Sequence, residues 1–309
     1  MHYRDIMTIG VNHHLLCKFM VPTAADHAAT LIPLLGDERY DHFDLWIRGE
    51  EPYRSEEMAA IRDCGRPIIY NVGDRDGEPE LLPTSTDPVI WQRTLDAVKR
   101  EIERGLEVGT KKIVTSSGRP HGDPAGNMEQ LVAYYCALCA FVGKDVEVLV
   151  EPTDTDFDKR YLIGPSAEAM ELIRRVHQEG YTNMGGMLDM CHLPPLHERV
   201  EDAFDALGTS MRHVHLGTCV TEDKTSAFYG DKHPGWGLPG VCWDEHEVAD
   251  LMVYGYQKGY FSPESRGTVS FEMVAYDDIP YLQSTDRFFA VMDKAWALAE
   301  PRILALGQA

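Results

Sequence analysis

The chain has 309 residues, 44% of them hydrophobic, a length typical of an α/β barrel and ample for a large core. Acidic residues outnumber basic ones 50 to 29, for a formal charge of -21; such a surface repels phosphate backbones and anionic lipid and excludes nucleic acid and membrane as partners. Seven scattered cysteines suit free thiols in a reducing cytosol, and no basic leader or apolar run near the ~20 residues of a membrane span is present.

Residues 5–11 read as a strand that runs into Asn12, His13 and His14. A helical pattern follows at 23–35, a second strand at 43–47 and a helix at 55–64. The third strand, 67–72, leads into a Gly- and Asp-rich turn at 73–77, and residues 88–106 carry an amphipathic helical pattern. Strand four, 112–115, opens a loop of Ser, Gly, Pro and His at 116–126. The helix predicted at 128–142 contains Cys136 and Cys139, a CxxC pair in an apolar run with a packing role. Strand five, 146–151, is closed by Pro152, and a helix follows at 166–179.

The sixth strand, 184–189, is an apolar run that stops at Asp189, with His192 three residues on and Pro194-Pro195 preventing its continuation. After a helix at 197–207, the strand at 211–217 alternates, so His213 and His215 share a face. A long loop at 218–241, a helix at 245–259, a strand at 268–272 and a helix at 286–299 complete the chain. Eight strand-then-helix units without a break in composition predict one (β/α)8 barrel over residues 1–309.

Barrels of this kind carry their active sites at the C-terminal ends of the strands. Glu151, Asp189, His215 and Glu272 end strands five to eight and offer three carboxylates and one imidazole to one point. Hard oxygens with one nitrogen suit Mn²⁺, Mg²⁺ or Co²⁺ rather than thiolate-seeking ions. His213 lies deeper on its strand and is expected as a hydrogen-bonded neighbour, not a ligand. One of His13 and His14 is expected to face the pocket, and Lys232 and His233 lie in a loop of the kind that covers substrate. His121 sits in a loop expected to be solvated. Asp154, Asp156 and Asp158 lack the Gly and final Glu of a calcium loop and read as structural acids. Trp46 and Trp236 either stack on substrate or pack.

Leu149-Val-Glu-Pro152, Leu188-Asp-Met-Cys-His192, His213-Val-His-Leu216 and Ser270-Phe-Glu-Met273 resemble the motifs of the xylose-isomerase-like barrels, a family of sugar isomerases, epimerases, inosose dehydratases and endonucleases. The resemblance implies one divalent metal, Mn²⁺ first and Mg²⁺ or Co²⁺ next, held by Glu151, Asp189, His215 and Glu272. It also implies that His192 touches substrate oxygens. Glu151 and Glu272 are then the acid/base pair around an enediolate, and His14, Lys232 and His233 are further substrate contacts. The charge of -21 argues against the endonuclease branch. An enediolate leads to epimerisation, isomerisation or elimination. Ketose 3-epimerases of the family carry Glu and Arg where this chain has Phe157 and Thr221.

The segments 151–165, Asn71-Val-Gly-Asp-Arg75, Asn12-His-His14 and Tyr229-Gly-Asp-Lys-His233 are similar to the catalytic subunit of bacterial C-glycoside deglycosidases. That resemblance implies a cytoplasmic lyase that cleaves 3-oxo-C-glucosides, works with a small β-type partner subunit and forms an oligomer. A sugar isomerase or epimerase is the alternative. A non-catalytic scaffold barrel is a remote one, because the ligand set is complete.

Overall fold

The computed structural model describes residues 1–73 and 80–306. Eight parallel strands, β1 (Met7–Asn12), β2 (His42–Leu45), β3 (Ile68–Asn71), β4 (Lys112–Ser116), β5 (Glu147–Glu151), β6 (Met184–Asp189), β7 (Met211–Leu216) and β8 (Gly267–Phe271), pair in chain order into a closed barrel. β8 returns to β1, with Met7 opposite Gly267 and Val11 opposite Phe271, so the sheet has no open edge. The helices are α1 (Tyr3–Ile6), α2 (His13–Leu16), α3 (Ala24–Leu34), α4 (Tyr53–Cys64), α5 (Pro88–Glu107), α6 (Pro124–Val142), α7 (Ser166–Gln178), α8 (Val200–Leu207), α9 (Glu245–Gln257) and α10 (Tyr281–Leu306). This is the α/β barrel expected from the strand–helix alternation. No helix among the described residues is long and apolar enough to cross a membrane.

Where element ends differ from expectation, the causes are local. The first strand starts at Met7 because residues 3–6 wind into one helical turn, closed by a reciprocal cap between His2 and Asp5. α6 begins at Pro124, before the expected 128: Asp123 caps the Ala125 amide, and proline at the first helical position costs no hydrogen bond. α8 begins at Val200, after the expected 197, where Arg199 and Asp202 close its first turn. α10 runs past the expected 286–299 at both ends. β8 stops at Phe271, so Glu272 is the first residue beyond it, although its N–H still bonds the Leu216 carbonyl at 2.9 Å. Most of the turn expected at 73–77, with Asp74 and Arg75 of the Asn71–Arg75 segment, lies outside the described residues.

Alternation along each strand sorts side chains into two cores. Outward residues such as Ile9, Phe43, Val148, Val150, Leu188, Val214 and Val269 pack against the helices. Inside the barrel, β3 to β6 supply a small apolar cluster of Ile69, Val114, Leu149 and Met187. The opposite half of the interior is polar: His42 and Asp44 of β2, His213 and His215 of β7 and Ser270 of β8 are all buried. Gly10 of β1 makes room for them. A Cβ there would lie 2.4 Å from His42 Cδ2 and 2.5 Å from Ser270 Oγ.

Candidate metal centre

Strand register brings the ligand-type side chains to one level. Asp189 stands opposite His215 in the β6–β7 ladder, Glu151 closes β5 and Glu272 follows β8. One ligand atom from each of the four lies within 4.8 Å of the others. His215 Nδ1 is 2.6 Å from Glu272 Oε2 and 3.7 Å from Glu151 Oε1. These are the four residues expected from the sequence.

In the three buried members of the cluster, one atom is bound to protein and another faces its fellows. Asp189 Oδ1 accepts the Cys191 amide at 2.8 Å, Glu272 Oε1 accepts Asn12 Nδ2 at 2.8 Å, and His215 Nε2 bonds Asp44 Oδ1 at 3.3 Å. The remaining atoms, Asp189 Oδ2, Glu272 Oε2 and His215 Nδ1, are buried without a hydrogen-bond partner; the short His215–Glu272 approach is not aligned as one. Orphaned buried polar atoms are rare and costly. A cation satisfies all three at once, so the donor set fits a hard divalent ion.

The electrostatics are those of crowded acids. Burial, with Glu272 and Glu151 nearby, pushes the Asp189 carboxyl up to about 7 against the pull of His192 and His233. Burial also opposes ionisation of Glu272, but His215 and His233 hold it well below the usual carboxylate range. For His215, burial disfavours the charge, and Glu272, Asp44 and Glu151 outweigh it to favour protonation.

A second set of residues holds the first. Asp44 takes His215 Nε2 on one oxygen and the Ser270 hydroxyl on the other, and His213 Nε2 approaches at 3.2 Å, off the line of an ideal hydrogen bond. Burial opposes its charge, yet His213 and His215 keep its carboxyl well below the ordinary range. His213 is thus a neighbour of the ligand shell, as its depth on β7 implied, and its Nδ1 meets Thr268 Oγ1 at 2.8 Å.

The site opens into a cavity of about 540 Å³ bordered by His14, Glu151, Lys159, His192, Asp231 and His233 among others. His192 Nε2 lies 3.2 Å from Asp189 Oδ2 and 3.7 Å from Glu151 Oε1. His14 stacks on Trp46 (ring centroids 4.4 Å apart, 11° between planes), whereas His13 is buried and bonds Thr30 at 2.9 Å. His233 is clamped: Nε2 sits 2.6 Å from Asp231 Oδ1 and Nδ1 bonds the Glu272 carbonyl at 3.0 Å. Burial opposes its protonation, but Asp231 and Glu272 raise it to about 10. Trp236 is buried and packs edge-on against Phe271 and Phe288, away from the cavity.

Lys232 requires a correction. Expected beside substrate, it turns its ammonium to Asp158 at 3.1 Å and does not border the cavity. The loop backbone turns at His233, which has a φ of 52°, and Asp158 is there to receive the charge of Lys232. Lys159 takes the cavity position instead, 2.9 Å from Asp231 Oδ2. The acidic run holds the loop: Asp154 accepts the amides of Phe157, Lys159 and Arg160 at 2.8, 2.7 and 3.3 Å, and Asp158 accepts that of Asp231 at 2.9 Å. His121, expected in solvent, instead bonds Ser85 at 3.0 Å.

Asn12, Asp44, Lys159 and Asp231 went unrecognised in the sequence. For Asp44 a signal existed: His42-Phe-Asp-Leu45 alternates, placing a carboxylate on the inward face of a strand next to the first. Asp231 and Lys159 lie in loops, where no periodicity speaks.

The chain belongs to the xylose isomerase-like TIM barrel family, whose model matches residues 75–284. No curated protein matches the chain. Among solved structures it is similar to a D-allulose 3-epimerase from Methylomonas sp. (16% identity, 98% of this chain and 100% of that one, TM-score 0.65). It is also similar to the 3-keto-D-glucoside 4-epimerase of E. coli (18%, 93% and 99%, TM-score 0.63). A D-tagatose 3-epimerase-like protein matches as well (14%, 96% and 100%, TM-score 0.67). At these identities the likeness is one of fold.

Proposed function

We propose that the chain, as one catalytic unit over residues 1–309, is a divalent-metal-dependent sugar isomerase or epimerase that removes and returns a proton at a carbon beside a carbonyl. The observation that carries this reading is the convergence of Glu151, Asp189, His215 and Glu272, with three partnerless buried atoms among them. An ion bound there acts as a Lewis acid, offsetting the charge that develops on the carbonyl oxygen; Mn²⁺ is the first choice, then Mg²⁺ and Co²⁺. Glu151 and Glu272 take up and give back the proton. Asn12 holds one oxygen of Glu272 in place, and Glu151 stands at the cavity wall. His192, His14 and His233 border the same space; His192 and His14 are the groups to hold substrate oxygens, and His233, with both ring nitrogens on protein, shapes the wall beside them. The names of the solved relatives, sugar epimerases, agree with this class.

A second reading rests on positions 157 and 221. Where ketose 3-epimerases carry Glu and Arg, Phe157 packs on Tyr229 (ring centroids 5.1 Å apart) and Thr221 meets Cys242 at 3.4 Å; neither borders the cavity. The same deprotonation beside the 3-oxo group of a glucoside would expel the group at C1, the reaction of the C-glycoside deglycosidase catalytic subunit, with a small β-type partner. The Mn²⁺-loaded protein is to be offered a ketohexose and a 3-oxo-C-glucoside in D₂O, with and without a co-expressed partner. The first reading expects deuterium beside the carbonyl of the ketohexose and no aglycone release. Free aglycone would move the assignment to the second, and inertness towards both would overturn the pair.

A further inference from the structure

A column of polar groups crosses the barrel interior, from its N-terminal floor to the ligand cluster. Lys112, the first residue of β4, reaches across the floor: its Nζ donates to the Arg212 carbonyl on β7 at 2.6 Å and to Thr268 Oγ1 on β8 at 3.0 Å. Thr268 Oγ1 meets His213 Nδ1 at 2.8 Å, His213 Nε2 stands 3.2 Å from Asp44 Oδ1, and that oxygen takes His215 Nε2 at 3.3 Å. The other imidazole nitrogen of His215 is the one in the ligand cluster. Alongside, His42 Nε2 meets Ser270 Oγ at 2.9 Å, and Ser270 donates to Asp44 Oδ2.

The donor and acceptor roles along the column follow from its first member. An ammonium can only donate. The Thr268 hydroxyl that receives it has one hydrogen to pass on, and His213 Nδ1 at 2.8 Å is nearer than the Arg212 carbonyl at 3.3 Å, which Lys112 already occupies. His213 then carries its hydrogen on Nε2, which stands 3.2 Å from Asp44 Oδ1 as a charge contact off the line of an ideal hydrogen bond. Asp44, an acceptor on both oxygens, draws the Nε2 hydrogen of His215 as well, so Nδ1 is the nitrogen that gives up its proton to a cation. Packing does not require this arrangement. The opposite half of the interior is filled by Ile69, Val114, Leu149 and Met187, as such barrels ordinarily are, whereas the polar line is costly, with His213 Nε2 and His42 Nδ1 buried and lacking an aligned partner.

We propose that Lys112 is a positioning residue for the metal ligand His215, acting through Thr268, His213 and Asp44 from the far end of the barrel. The proposal rests on the metal-site reading above and concerns the protein's own residues.

The test is Co²⁺ titration of the full-length protein, reading affinity by chelator competition and geometry by ligand-field absorption. Lys112→Met and the near-isosteric Thr268→Val should each weaken Co²⁺ binding about 10- to 100-fold and shift the bands, as loss of an outer-shell partner does. The double variant should be no weaker than the worse single one, because both cut the same line. Ile69→Ala, in the apolar half, should lower Tm and leave affinity and spectrum unchanged. Wild-type affinity and spectrum in folded Thr268→Val or Lys112→Met would overturn the proposal while the metal site stands. Equal weakening in Ile69→Ala would overturn it too, reducing the column to general packing. A wild-type chain that binds no Co²⁺ would fell the metal reading itself, and the relay with it.

Discussion

Asp189 has one carboxylate oxygen on the Cys191 amide and the other facing His192 and the ligand cluster, buried and unbonded. Asp189→Asn keeps the acceptor for Cys191 and removes the negative charge from the free oxygen. Calorimetric titration with Mn²⁺ should show affinity falling at least about 100-fold, a loss of roughly 2.7 kcal/mol. Tm of the metal-free variant should not drop, since no hydrogen bond is lost and a crowded charge is relieved. A metal-free protein that melts much earlier would make Asp189 a structural residue. The four residues of the cluster were readable because each closes an apolar or alternating run, so its position in the fold followed from periodicity. Lys232 misled for the converse reason: in a loop, adjacent residues have no fixed direction, and only the partner Asp158 decides where the charge goes.

At the level of single elements, β1 shows how absence of a side chain organises a core. Gly10 faces His42 and Ser270, and these two support Asp44. Gly10→Ala forces the imidazole and hydroxyl aside, an overpacking cost of about 1–3 kcal/mol. Denaturant melts should show that loss, and Mn²⁺ affinity should fall with it because Asp44 moves; full stability and affinity would mean that the interior has slack. The eight strands were evident from runs of β-branched and apolar residues, and the helices from their spacing. Element ends were less so, because they turn on individual caps such as Asp123 for α6 and the His2–Asp5 pair before β1. The division of the barrel interior into apolar and polar halves was not visible at all: it depends on which strands stand opposite one another once the sheet closes.

Across the whole molecule, neutral histidines set an acid limit. Burial holds His14 and His42 at about 3, although Glu272 and Asp44 pull the first up and Asp44 the second. Burial likewise keeps His13 far below its ordinary value. In the unfolded chain these rings titrate near 6.5, so below that pH the unfolded state binds more protons than the folded one. The stability these rings contribute is therefore fully present above pH ~6.5 and is lost as pH falls towards 3, each ring adding a slope of up to about 1.4 kcal/mol per pH unit, of which the raised Asp189 offsets about one ring's share. Urea melts between pH 7.5 and 4.5 should show this fall, shallower in His42→Asn; a flat profile would mean that the rings are charged in the fold. The loops above β5 and β7 bring a different consequence. Asp158 accepts the Asp231 amide and Lys232, while Lys159 pairs with Asp231, which clamps His233. Each loop supplies the counter-charges of the other. A change in one without the other strands a charge at the rim, so exchanging both loops together should cost less than exchanging either alone, a coupling that the His14 and Trp46 stack on another part of the wall does not share.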